Sequence, residues 1–223
     1  MLDLIQTATT VPTRPPLADV NGRPGGQSVG GWWAGAIDQI DIGMLLLDAN
    51  ARVLFANRAA RAELAQAEHP LQQLGGELRA RRSADATALR GALRDACTRS
   101  LRRLLTLAQE QEPLHVAVLP LRDADTVEPL CLMLLGQRGG RVPMAVHCFA
   151  HAHALTSAED QVLQALYRGL TPRQIARSHG VALSTVRTQL ASIRAKTCCV
   201  SLRELLLRLA LLPPMAAAFA AAA

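Results

Sequence analysis

The sequence predicts two domains of different class: an α+β N-terminal domain, an antiparallel sheet with helices, followed by an all-α domain of four helices. Three observations carry that expectation. A chain of 223 residues with 50% hydrophobic residues is enough for two small cores. The stretch from Gly43 to Phe55 reads as a β-hairpin, and residues 114–121 and 129–135 read as two further strands. After residue 154, three helix starts are each marked by Ser or Thr with Glu or Gln three residues on: Thr156 with Glu159, Thr171 with Gln174, and Ser201 with Glu204. In that arrangement side chain and backbone satisfy each other's free N–H groups, so the spacing locates a helix start.

Residues 1–30 mix Thr, Pro and Gly without periodicity, including Pro12, Pro15, Pro16, Pro24, Gly25 and Gly26, and are expected to be disordered. A domain then spans 31–140. Trp32, Trp33, Ala36, Ile37 and Ile40 suggest a short helix whose aromatic rings need a partner surface, either the following sheet or a second subunit. Gly43–Asp48 reads as a strand, Ala49–Ala51 as a turn and Arg52–Phe55 as the returning strand, after which Asn57 caps a helix to about Ala67. Leu78–Arg81 is expected as a short strand. Ala84–Ala108 is expected as one long helix, with Leu89, Leu93, Ala96, Leu101, Leu104 and Leu105 as its apolar positions. Arg122–Thr126 connects the last two strands, and residues 141–154 are expected to link the domains.

Within 155–212 the first helix is expected over Ser157–Arg168, with Val162, Leu163 and Leu166 inward, and the second over Pro172–Ser178, with Pro172 at a first helical position that needs no N–H. Gly180 makes the turn. The third helix covers Leu183–Lys196: Val186, Leu190 and Ile193 fall on one face, Ser184, Arg187, Thr188, Ala191 and Arg194 on another. Small Thr and Ala residues let such a face approach a groove, and Arg bridges to guanine or phosphate. A fourth helix carries Leu202, Leu205, Leu206 and Leu209 on one stripe, and Pro213 and Pro214 open an Ala-rich tail, 213–223, expected to fray.

Leu155–Glu159, Gly169–Ala176, Ser184–Leu190, Ile193 and Lys196 resemble, in order and spacing, the LuxR-type (GerE-like) helix-turn-helix of transcriptional regulators. The resemblance implies that Arg187 and Thr188 face base edges, that Thr185, Arg194 and Lys196 lie near phosphates, with Ser184 and Ala191 completing the DNA-facing surface, and that Leu202, Leu205, Leu206 and Leu209 help pair two subunits. Four positions depart from the pattern: Ala182 replaces an N-capping Ser, His179 a core Leu, Cys198 a helix-ending Gly, and Ala191 a residue that is often basic. Residues 42–64, with Asp48, Phe55 and Asn57, resemble the opening of a PAS domain, which implies a sensory or dimerisation role, with Trp32 and Trp33 as candidate pairing residues.

Charge supports the division. Residues 1–154 carry sixteen Arg against fifteen acids, residues 155–223 eight basic against three acidic side chains, so the net charge of +6 lies almost wholly on the DNA-binding candidate, as counterion release from a polyanion requires. Twenty-three Arg against one Lys, with abundant Ala, suggests a GC-rich bacterial coding bias. Five Cys without a C-x-x-C pair exclude a disulfide framework or a four-Cys zinc site. No apolar run approaches the ~18–20 residues that span a bilayer, and Met1–Ile5 does not open a signal peptide, so a cytoplasmic chain without membrane partners is expected.

Candidate chemistry elsewhere reads as structural. His69, His115 and Cys97 lie in no haem or flavin motif, so no cofactor is expected, although an unidentified small molecule in the PAS-like domain fits. His147, Cys148 and His151 have ligand-like spacing but lack a distant fourth ligand, so no metal is expected. Cys198 and Cys199, as vicinal residues, do not close a relaxed bridge. No phosphate loop, H-E-x-x-H or G-x-S-x-G motif is present, so no catalytic residues are expected. The sequence thus reads as a homodimeric regulator binding double-stranded DNA. The alternative is a PAS-based interaction module whose helix-turn-helix contacts a protein such as RNA polymerase.

Overall fold

The computed structural model describes residues 29–107, 113–122, 129–138 and 141–216. The N-terminal segment expected to be disordered, apart from Val29 and Gly30, the connection after Arg122 and the end of the tail lie outside the described residues.

The N-terminal domain contains α1 (Val29–Asp38), β1 (Gly43–Asp48), β2 (Val53–Ala56), α2 (Arg58–Leu64), β3 (Leu71–Leu74), β4 (Glu77–Ala80), α3 (Ser83–Arg99), β5 (Arg103–Leu107), β6 (Leu114–Leu121) and β7 (Leu130–Leu135). Five strands form an antiparallel sheet in the order β2-β1-β7-β6-β5, and β3 and β4 make a separate hairpin. The class is the expected α+β. Leu45, Leu47, Val116, Val118, Cys131 and Met133 point from alternate strand positions to one face and pack with Leu89, Leu93 and Ala96 of α3. The opposite face is also apolar. The cross-strand neighbours Leu104, Ala117, Leu134 and Met44 form one row across it, and Leu119, Leu132, Leu46 and Phe55 form a second.

Asn57 fixes the start of this domain. It is fully buried. Its Oδ1 accepts from the N–H groups of Met44 and Ala60, at 2.8 and 2.9 Å, capping α2 while holding β1, and its Nδ2 donates to the Ile42 carbonyl at 2.8 Å. At the β1–β2 turn, Asp48 Oδ1 accepts from the N–H groups of Asn50 and Arg52, which supports Ala51 at φ 65°.

Two expectations fail here. The long helix stops at Arg99, where Ser100 turns left-handed (φ 56°), and Leu104 and Leu105 belong to β5. An apolar run of this kind fits either period, and the free edge of β6 selects the strand. The sequence reading also passes over β3. Its turn is Gly75–Gly76, both at positive φ, the two-residue connection that matches strand twist.

The C-terminal domain comprises α4 (Met144–Ala152), α5 (Ser157–Tyr167), α6 (Pro172–His179), α7 (Leu183–Lys196) and α8 (Leu202–Ala210). The stretch expected as a linker is therefore mostly a helix. Val146 and Ala150 of α4 join Val162, Leu163, Ile175, Val186, Leu190, Ile193, Leu205 and Leu209 in one core, because apolar residues spaced by four bury a stripe.

The two domains also touch. Arg141 Nη2 lies 3.1 Å from the buried carboxylate of Asp41, which burial pushes above its ordinary range while Arg141 opposes the rise. Part of the expected frayed tail returns to the first domain: Met215 bridges Ile40, Ala216 N–H donates to Gln39 O at 2.8 Å, and Asp41 N–H donates to Pro214 O. Among the described residues no helix is long and apolar enough to cross a membrane.

Candidate nucleic-acid interface

Caps set the frame of the C-terminal domain. Thr156 and Glu159, and likewise Thr171 and Gln174, cap α5 and α6 reciprocally as the spacing predicts. Ser201 accepts from Glu204 N–H at the start of α8, but the Glu204 carboxylate turns to Val200 N–H at 2.9 Å instead of closing the reciprocal bond. Each of α4 to α7 ends in the same double hydrogen bond around one left-handed residue: Ala154, Gly169, Gly180 and Cys198. Arg208 of α8 adds a cationic cap to α7, donating to the carbonyls of Thr197 and Cys198 at 2.9 and 3.4 Å.

Held in this way, α7 buries Val186, Leu190 and Ile193 against α5 and α6 and leaves Ser184, Thr185, Arg187, Thr188 and Ala191 exposed. The five are on the surface as the helical pattern requires. Thr188 Oγ1 donates back to Ser184 O at 3.1 Å, and Arg187 makes no ion pair among the described residues. The N-cap position, Ala182, lacks a side-chain acceptor, and Cys198 adopts φ 54°.

Arg194 and Lys196, expected near phosphates, have their charged ends engaged inside the domain. Arg194 Nη1 donates to Val200 O at 3.0 Å. Lys196 Nζ lies 2.7 Å from Glu159 Oε2 and also donates to Ala154 O. Glu159 further accepts from Ser192 Oγ at 2.6 Å and Thr156 N–H at 2.7 Å. Lys196 first, then Ser192 and the Thr156 backbone, hold this carboxyl down at about 2. The cluster ties the end of α7 to the start of α5.

The leucine stripe of α8 divides as well: Leu205 and Leu209, expected to help pair two subunits, are buried in their own domain, and Leu202 is partly buried against the same core. Leu206, Leu207 and Leu211 are exposed, as is Val200 just before α8. Trp32 and Trp33 are 68% and 65% exposed, so the sheet does not cover them. His179 faces solvent rather than the core.

The candidate cofactor residues are placed apart. His69 is fully buried, with Nε2 3.8 Å from Glu63, and His115 is exposed beside Thr106. Cys97 packs beside Cys131 in the core, where burial first and the neighbouring thiol second push Cys131 up to about 12. His147 lies 3.6 Å from Asp160, and His153 packs on Phe149 with ring centroids 4.4 Å apart. Arg173 and Arg177, which the sequence reading did not single out, are exposed on α6 one turn apart, at i, i+4 spacing behind the Thr171 cap.

Residues 153–209 match the family model described as bacterial regulatory proteins, luxR family. This region is a LuxR-type helix-turn-helix domain. Among solved structures, the chain is similar to the Vibrio cholerae VqmA dimer in the absence of target DNA, at 19% identity over 81% of this chain and 86% of that one, with a TM-score of 0.36. It is similar to the V. cholerae VqmA–ligand–DNA complex at 20% identity over 83% and 88%, with a TM-score of 0.38. The PAS domain of nitrogen regulation protein NR(II) from Vibrio parahaemolyticus matches at 14% identity over 47% of this chain and 95% of that one, with a TM-score of 0.31. No curated protein sequence matches. The matched residues run from just before the start of α5 through most of α8, with α6 and α7 joined across the Gly180 turn.

Proposed function

We propose that the protein is a transcriptional regulator that reads double-stranded DNA through α7, acting as a homodimer under the influence of its PAS-like N-terminal domain. The observation that carries this reading is the exposed face Ser184, Thr185, Arg187, Thr188 and Ala191, presented by a LuxR-type domain whose other α7 face is fully committed to the core. A helix with short side chains around one Arg enters a major groove and places the guanidinium at a base edge. Arg173 and Arg177 on α6 supply phosphate contacts in place of Arg194 and Lys196. The exposed Trp32 and Trp33, and Leu206, Leu207 and Leu211, are the surfaces for a second copy. The reading involves no catalytic step.

The test is affinity against salt on selected and scrambled duplexes. Arg187→Ala is expected to cost about 1–3 kcal/mol on the selected site and to relax preference at one base pair. Arg173→Ala or Arg177→Ala should weaken all duplexes alike and reduce the salt slope by about one. Equal binding to both duplexes, insensitive to Arg187→Ala, would refute base reading and favour a protein partner for α7.

A further inference from the structure

A short segment, 136–143, joins β7 to α4, and such a connection leaves two domains free to take many orientations unless their surfaces lock. Apolar packing does not supply the lock here. A cavity of about 480 Å³ stays open between Leu104, Ala117 and Leu134 on the outer face of the sheet and Leu209, Leu212 and Pro213 of the helical domain. Leu104 on its wall is still 75% exposed.

Polar contacts converge instead on one residue. Asp41 stands between α1 and β1 with its side chain only 4% exposed, and each of its polar groups holds a different segment. The carboxylate lies 3.1 Å from Arg141 Nη2, just before α4. The N–H donates to Pro214 O at 3.3 Å, in the segment after α8. The carbonyl accepts from Gln137 Nε2 at 3.4 Å, and Gln137 Oε1 accepts from the Tyr167 hydroxyl of α5 at 3.2 Å. Next to Asp41, Met215 bridges Ile40 and Ala216 N–H donates to Gln39 O at 2.8 Å. The same stretch is anchored to the first domain by the buried Asn57, whose Nδ2 donates to Ile42 O at 2.8 Å and to Ile40 O at 3.4 Å. Asp41 thus ties the entry to the sheet to both ends of the helical domain. Because its groups are buried, losing one partner strands the other half of that contact, so the set holds or opens together.

We propose that Asp41 and residues 213–216 form a latch that holds the helical domain in one orientation on the N-terminal domain, and that in the homodimer this orientation sets the distance between the two α7 helices and hence the half-site spacing the protein accepts. The latch itself stands on the contacts alone; its effect on spacing rests on the DNA-reading proposal.

The test compares the full chain with Asp41→Asn, which keeps the backbone bonds but loses the charge pair, and with a chain ending at Leu212, which removes the tail without taking a residue from either core. Trypsin cleavage at Arg138 or Arg141 should be at least about tenfold faster in both variants, because cleavage follows the population of the opened form, while circular dichroism shows both domains still folded. On duplexes carrying the selected half-sites, inserting about 5 base pairs, half a helical turn, should weaken binding of the full chain at least about tenfold and that of the variants less than about threefold. Unchanged cleavage in the variants overturns the latch and leaves DNA reading intact. Faster cleavage with an unchanged spacing preference overturns the role in spacing and assigns it to pairing through α8. If the full chain does not separate selected from scrambled duplexes, DNA reading falls together with the role in spacing, and the cleavage rates decide the latch.

Discussion

The ends of α7 are weaker than those of its neighbours, and the size of the deficit can be worked out. At the start, Ala182 has the extended backbone of an N-cap (φ −67°, ψ 147°) but no oxygen to accept from the free N–H groups of the first turn. Thr156 and Thr171 supply that oxygen to α5 and α6. Ala182→Ser should therefore gain about 1 kcal/mol. At the other end, Cys199 N–H donates to Arg194 O at 2.9 Å and Cys198 N–H to Ala195 O at 3.3 Å, the closure that α5 and α6 make around Gly169 and Gly180. Cys198 holds φ 54° with a Cβ, at a cost of roughly 1–2 kcal/mol. Glycine relieves this but loses about 0.5–1 kcal/mol more conformational entropy on folding. Because Cys198 is exposed and takes no packing with it, Cys198→Gly should net about 0.5–1 kcal/mol. The two sites lie at opposite ends of a 14-residue helix and should add. Thermal and urea melts of the full chain should show the helical-domain transition moving up, by about 4–8 °C per kcal/mol for a domain of this size. If neither variant raises it, Ala182 and Cys198 do not occupy the cap positions and the reasoning fails.

The Glu159 cluster should be felt in acid. A carboxyl held at about 2 against an ordinary 4.5 contributes stability that is complete above 4.5 and lost as pH falls through 2. At 1.36 kcal/mol per pH unit the ceiling is about 3 kcal/mol. Screening at the partly exposed Lys196 reduces this to about 1–2. Denaturant midpoints of the unmodified chain should fall below pH 4.5, and those of Glu159→Gln should be lower at pH 7 and flatter over that range; parallel profiles would refute it. Lys196→Met should likewise lower the melting temperature without changing the salt slope of DNA binding, whereas a slope reduced by one would return Lys196 to the phosphates. Asn57→Ala should cost about 3 kcal/mol or more in the N-terminal domain, because it strands Met44 N–H and Ile42 O together with the α2 cap, and a loss under 1 kcal/mol would contradict that geometry. Leu205→Asp should unfold the helical domain, while Leu211→Asp should leave its melt unchanged and shift sedimentation toward monomer; similar melts for the two would remove the distinction between core and surface on α8.

What the sequence determined by itself was whatever local chemistry decides. Capping pairs at fixed spacing placed the starts of α5, α6 and α8. The 3.6-residue period of Val186, Leu190 and Ile193 set the faces of α7, and the turn at Ala49–Ala51 between two apolar runs set the β1–β2 hairpin, because each rests on contacts within a few residues. Tertiary structure decided the rest. Leu104 and Leu105 suit a helix until the unpaired edge of β6 offers a ladder, and Met144–Ala152 looks like a linker until the α5 surface offers Val146 and Ala150 a core. Leu205 and Leu206 are indistinguishable in sequence, yet one faces the core and the other water. Lys196 reads in sequence as a free basic residue at the end of α7, but Glu159, 37 residues away, claims its ammonium. Such assignments depend on which groups meet across the chain, and no local pattern encodes the partner that wins.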